Sequence, residues 1–490
     1  MACFYNRLRN NETIKKALLY GYSIILTGMH IYRMNNPDLT RDEPFSVLLA
    51  RKSWSEITKF TGLQSEHPPL YYYILKFNQI VIGDYAISYR LTSIIPFLIV
   101  VVFCVFVIRK HIGYKASCIF ISCLALFRSS FMYITQVRMY EWCLTFVFFA
   151  FITLRYIYHN LAVKKKHETI LYFLLSFFSL CAAYTHYYGL VTVSFLYLFF
   201  LVWCVANKKV EKWLLSAAVS LIGYIPGMYF LLDTFHRDSN SYWIQRSPTV
   251  LECITNVFFA RFGWVIFALF VLLIVLFYLQ SDITDSFSYE EVIGDRWWFA
   301  NGLFGFFGMI MTALIVSKLV RPLFDTRYIY TSVCICWIIL ATVIRYSKKD
   351  LIFYALLLLI IIPGFGYYKE QRIIEVEHIQ EMKQSVSTIQ SALDKGNYQL
   401  VTDSSYFTAN WILDYYFPQS KSMYTDTYKA FITDNLGDDF ILIDWFCNFS
   451  PDSSDTLSFL SENNYSFDTI GKDMYLAGAV VDIYVFYYDK

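Results

Sequence analysis

PLYYYILKFNQIVIGD, residues 69–84, decides how this chain is threaded. A bilayer-spanning helix needs about 20 mostly apolar residues. This stretch is shorter, and it carries Lys76, Asn78 and Gln79. If it crossed, every basic turn after it would move to the opposite face. Read as an interfacial helix instead, it leaves eleven apolar runs that do cross. They lie near 16–33, 89–108, 115–135, 139–158, 168–186, 188–206, 212–232, 258–280, 297–319, 327–346 and 350–368. The first has no convincing signal-peptide cleavage site and reads as a retained anchor.

The composition agrees. Of 490 residues, 57% are hydrophobic, 20% aromatic and only 16% charged. A soluble protein carries about a quarter charged residues. A cytosolic globular enzyme, a disordered chain and a disulfide-rich secreted scaffold are therefore excluded. The net charge of +2 hides a split. Residues 371–490 hold 7 Lys and Arg against 18 Asp and Glu, while the first 370 hold 34 against 21. The basic part argues for membrane topology, not nucleic-acid binding. The 11 cysteines lie almost all in apolar runs, without zinc-type spacing, and read as small buried hydrophobes.

Positive residues mark cytoplasmic turns. Arg7, Arg9, Lys15 and Lys16 put the N-terminus inside. Arg109, Lys110 and Lys115, then Lys164–Lys166, then Lys208, Lys209 and Lys212, then Arg345, Lys348 and Lys349 fall at alternate turns. The turn 281–296 fits badly, with five acids and one Arg. Acids count little in this rule, so the threading stands. Residues 1–370 are then a mainly α membrane domain of about eleven transmembrane helices, with interfacial helices in the first outer loop, 34–88. Residues 371–490 form a small extracytoplasmic α/β domain. Its helices are expected at 371–395 and 406–417, its strands at 398–402, 440–443 and 481–488.

Ionisable groups at membrane depth are functional candidates by default. The outer ends of the spans collect Asp42, Glu43, Glu66 and His67; Arg138, Tyr140 and Glu141; His186, Tyr187 and Tyr188; Trp243; and Arg321, Asp325, Arg327 and Tyr328. Carboxylates and cations on one face suit a phosphate at the lipid–water boundary beside a proton-handling group. Each also has a plainer reading. Asp42 can be a solvated carboxylate, Arg138 and Arg327 arginines snorkelling to headgroups, His186 a hydrogen-bonded core histidine, and the aromatics an interfacial belt.

The motifs RDEPF (41–45), SEHPPLYYY (65–73), YRLTSIIP (89–96), QVRMYEW (136–142), THYYG (185–189) and RPLFDTRYIY (321–330) occur in that order. The set resembles the bacterial integral-membrane glycosyltransferases of the GT-C class. It is most similar to the family 39 group, with the protein O-mannosyltransferases and the aminoarabinose transferase of lipid A. YWIQRSPT (242–249) resembles an outer loop of the same group. The resemblance implies a polyprenyl-phosphate sugar donor, with undecaprenyl expected, and inverting transfer of a monosaccharide to a hydroxyl in the plasma membrane. It implies Asp42 as general base with Glu43 in support, and Arg138, Arg327 and Arg321 on the lipid phosphate. Glu66, His67 and His186 are acceptor or metal candidates, with a divalent cation as candidate cofactor. Tyr140, Tyr187, Trp243 and Tyr328 are expected to contact sugar or lipid. A transporter or flippase, and a polymerase or ligase of lipid-linked glycans, are the alternatives. Charges gather at span ends and no internal repeat occurs, unlike a transporter built from repeats.

Overall fold

The computed structural model describes residues 11–489 apart from 64–66, 160–164, 237–248, 258–262, 280–286, 321, 323, 348–349, 404–406, 421 and 446–448. It divides into two compact units. One comprises Met1–Met34, Ser53–Asn78 and Arg90–Tyr368; the other comprises Asn35–Lys52, Gln79–Tyr89 and Lys369–Lys490.

In the first unit, Leu70–Val81 is a helix of 12 residues. At 1.5 Å per residue it is about 18 Å long, too short for a hydrocarbon layer of about 30 Å. Among the described residues, eight helices are long and apolar enough to cross a membrane. Seven are Tyr140–Tyr158, Glu168–Thr185, Tyr187–Ala206, Val210–Leu232, Tyr289–Leu319, Thr326–Arg345 and Asp350–Leu393. The eighth, Ala86–Leu126, unites two of the expected runs. It bends through a π-helical stretch, Cys104–Ile108, and breaks at Gly113, whose φ of 83° suits only a residue without a β-carbon. The two remaining expected runs form Glu12–Arg33 and Gly263–Leu279. The chain is a mainly α, multi-pass membrane protein.

Thr326–Arg345 is the central helix, buried continuously from Tyr328 to Ile344. A helix apolar all round belongs inside a bundle, and this one packs on Arg109–Leu126 and Tyr140–Tyr158. Close packing also needs small residues. A β-carbon on Gly302 would sit 2.8 Å from Ile335 of the central helix.

The acids of the ill-fitting turn find partners here. Asp295 accepts from Arg155 Nε at 3.1 Å and from Tyr346 Oη at 2.6 Å, and lies 2.7 Å from His159 Nε2. Glu291 pairs with Arg345. Asp295 and Glu291 thus offset Arg155 and Arg345 within the bundle.

The second unit holds a five-stranded mixed sheet in the order β2-β1-β3-β5-β4. The strands are β1 (Gln399–Thr402), β2 (Met423–Tyr424), β3 (Phe440–Asp444), β4 (Tyr465–Leu476) and β5 (Ala479–Tyr488). β1 runs parallel to β2 and β3; β5 runs antiparallel to β3 and β4. Side chains alternate between faces. Leu400, Ile441, Ile443 and Ile483 pack on one side with Ile389 and Leu413. Val401, Leu442, Tyr484 and Phe486 pack on the other with Phe431 and Leu460. The helix expected at 371–395 is the continuation of Asp350–Leu393.

The border at Tyr368/Lys369 lies two residues from the one read from sequence, but Asn35–Lys52 and Gln79–Tyr89 group with the sheet rather than with the helices. Contacts far apart in the sequence join Asn35–Lys52 to the sheet unit. Arg41 N donates to Ala477 O at 2.8 Å, and Leu39 N to Tyr416 Oη at 2.9 Å. The Phe45 and Trp411 rings meet edge to face at 5.2 Å. Hydropathy cannot show such contacts.

Candidate functional site

Three helices of the first unit bring their N-terminal ends together: Tyr140–Tyr158, Tyr187–Ala206 and Thr326–Arg345. Ring contacts tie them. His186 lies 5.8 Å from Tyr140, 5.1 Å from Tyr328 and 5.1 Å from His67, centroid to centroid. Helix N-termini carry partial positive charge and favour anions.

His186 is the N-cap of its helix, in extended conformation. This breaks the apolar run into two spans. Its Nδ1 accepts from Tyr188 N at 3.1 Å, so in the neutral ring the proton sits on Nε2. That Nε2 is buried and has no hydrogen-bond partner among the described residues. The residue as a whole is 2% exposed. A buried donor without a partner costs about 1–3 kcal/mol. Tyr140 Oη is likewise buried and without a partner among the described residues.

Arg138, 4% exposed, precedes Tyr140 on the same turn. Arg327 is half-buried, with Nε 3.2 Å from Asp325 Oδ1; Asp325 also caps its helix by accepting from Arg327 N. Burial first, and then Arg138 and Arg327, pull the His186 imidazole down to about 3. Burial, Arg138, His186 and Arg327 hold His67 well below its ordinary range. Both rings are therefore neutral near pH 7. The field that keeps protons away attracts an anion and repels a metal ion. Among the described residues, no group of three His, Cys, Asp or Glu is placed to hold a metal.

The other sequence-derived residues are placed as follows. Tyr187 is half-buried at the first position of its helix. Glu66, Arg321 and Trp243 lie outside the described residues. Asp42 and Glu43 belong to the second unit. Asp42 is the N-cap of Glu43–Arg51, without a side-chain capping bond. Glu43 is buried, and its Oε2 accepts from Thr40 N at 2.7 Å and Thr40 Oγ1 at 3.2 Å. Its carboxylate folds back onto Thr40, two residues ahead of the N-cap.

Two tyrosines escaped the sequence reading. Tyr133 lies 5.1 Å from Tyr140 and 4.8 Å from Tyr330. Tyr330 donates to buried Glu141. Their signal was weak, since a Tyr inside an apolar run reads as core. Glu141 did stand out, as a carboxylate at the start of a span.

No family model and no curated protein matches the chain. Solved structures do. One is ArnT from Cupriavidus metallidurans in the apo state, at a TM-score of 0.52 and 12% identity, covering 96% of this chain and 98% of that one. Another is the same ArnT bound to undecaprenyl phosphate, at a TM-score of 0.56 and 12% identity, covering 97% and 98%. The chain has the ArnT fold. At 12% identity the likeness lies in the path of the chain, and it extends over nearly all of ArnT's own length. The ArnT likeness bears out the expected mainly α, multi-pass fold with a small C-terminal α/β domain.

Proposed function

We propose that the protein is an inverting glycosyltransferase that takes a monosaccharide from a polyprenyl phosphate. One observation carries the reading: the buried, unpartnered Nε2–H of His186, in the field of Arg138 and Arg327. That set suits a phosphate oxygen. The ArnT likeness supports it, because one ArnT structure holds undecaprenyl phosphate.

In the proposed reaction the acceptor hydroxyl oxygen attacks the anomeric carbon. The bond from that carbon to the phosphate oxygen breaks, and polyprenyl phosphate leaves with the electron pair. Asp42 takes the hydroxyl proton, on the strength of RDEPF; a general base of this kind contributes about 10²–10⁴-fold. Arg138, Arg327, Arg321 and the Nε2–H of His186 stabilise the charge that develops on the phosphate. Tyr140, Tyr187, Tyr328 and Trp243 contact sugar or prenyl chain. Glu43 takes no chemical step, since its carboxylate is committed to Thr40. No step runs through a metal.

The proposed orientation puts the N-terminus in the cytoplasm and residues 371–490 outside, in a plasma membrane. Cysteines at the exposed positions 85 and 397 then both react with an impermeant reagent added from outside. A cytoplasmic position 85 overturns the threading.

The decisive assay incubates purified protein with radiolabelled undecaprenyl-phosphate monosaccharides and a membrane extract. Label moves to an acceptor with the wild type, and Asp42→Asn abolishes it while still binding undecaprenyl phosphate. Near-normal turnover by Asp42→Asn overturns the base assignment. No consumption of any lipid-linked sugar overturns the enzyme reading.

A further inference from the structure

A cavity of about 620 Å³ lies wholly within the second unit. This is the size range of small-ligand sites. Val386, Ser387, Gln390 and Ser391 line one wall. They sit one turn apart on a single face of Asp350–Leu393, as the helical repeat dictates. Tyr415 and Tyr416 line another wall, with their rings edge to face at 5.0 Å.

The floor is a pre-arranged polar cluster. Arg51 Nε lies 2.9 Å from Asp84 Oδ2, with the two side chains 36% and 47% exposed. Tyr89 Oη donates to Asp84 Oδ1 at 2.5 Å and accepts from Arg51 Nη2 at 3.3 Å. The guanidinium carbon of Arg51 stands 5.6 Å from the centre of the Tyr415 ring.

We infer that this cavity is a saccharide-binding site, separate in its residues from the phosphate-binding set and independent of the transfer reading. Its chemistry selects among ligands. Aromatic rings present flat apolar faces with polar tips, which suits the C–H face of a pyranose. Arg51, Asp84, Gln390 and the two serines offer donors and acceptors together, as vicinal hydroxyls require. Asp84 pairs with Arg51, which leaves Lys383 on the cavity wall as a further donor for hydroxyls. A bare alkyl chain would strip water from the Arg51–Asp84 pair without replacing its hydrogen bonds. A neutral oligosaccharide meets both demands.

The test uses the full-length protein in lipid nanodiscs. Glycoside detergents are left out because their headgroups would compete. Di- and trisaccharides of glucose, mannose, galactose and N-acetylglucosamine are titrated and followed by saturation-transfer NMR. At least one binds saturably. Ser387→Trp, which fills the cavity from an exposed helix face, weakens it at least tenfold, as does Tyr415→Ala. Thermal melting confirms that each variant is folded; if Tyr415→Ala is not, Ser387→Trp decides. The inference is overturned if no sugar binds, if binding survives Ser387→Trp, or if a simple alkanol binds the cavity and the sugars do not.

Discussion

His67 and His186 face one another ring to ring, 5.1 Å between centroids and 37° between planes. One precedes a short helix and the other caps a long one, and 119 positions separate their numbers in the sequence. Burial first, and then Arg138 and Arg327, make them neutral donors and acceptors rather than cations.

Replacing His186 by Phe keeps an aromatic ring and removes the aimed Nε2–H. A hydrogen bond to a charged group is worth about 1.5–3 kcal/mol. The affinity for undecaprenyl phosphate in nanodiscs therefore falls by roughly 10- to 100-fold, while the fold persists. Unchanged affinity would remove His186 from the phosphate site.

Arg138→Lys keeps a charge but loses the planar fork, and Arg and Lys are not interchangeable at such sites. Arg138→Lys is expected to transfer more slowly than wild type, and Arg138→Ala more slowly still. Equal rates for Arg138→Lys and wild type would show that only the charge matters.

Acid should weaken the folded protein through His186. Its pKa is near 6.5 when unfolded and about 3 when folded. Between those values the unfolded chain binds more protons, so stability falls as pH drops through that window and does not respond above it. The effect is at most about 1.4 kcal/mol per pH unit for this group. Melting temperatures at pH 7.5 and 5.0 should diverge more in wild type than in His186→Gln.

Glu43→Ala and Asp42→Asn should separate cleanly. Losing the hydrogen bonds from Thr40 costs about 1.5–3 kcal/mol, seen as a lower melting temperature. Asp42→Asn leaves melting nearly unchanged and stops transfer. A thermally normal Glu43→Ala without activity would return Glu43 to the chemistry.

Much of the fold was legible because apolar length is a coarse, robust signal. The β1, β3 and β5 strands were readable for the same reason. β4 was not: register shifts between Thr469, Gly471 and Met474 interrupt its alternation, and Asp468, Lys472 and Asp473 make it look like a loop. Gln79–Tyr89 was assigned with the first outer loop to the membrane domain, because the hydrogen bonds and ion pair that tie it to Asn35–Lys52 leave no mark in hydropathy. In the site, Arg138, Tyr140, His186 and Tyr328 were found by asking which polar groups end a span. Tyr133 and Tyr330 were not, since only packing shows that they back Tyr140.

The Asp295 cluster has a consequence for how the chain is made. Asp295 is fully buried, and its partner Arg155 lies 140 positions earlier. A buried carboxylate that loses its counter-charge costs about 3–5 kcal/mol. Synthesis delivers the cation first, so Tyr289–Leu319 arrives where its counter-charge already waits. Tyr346, 51 positions later, closes the cluster last. Biogenesis thus acquires a sequence of its own, in which the late helices dock onto a charge left by an early one.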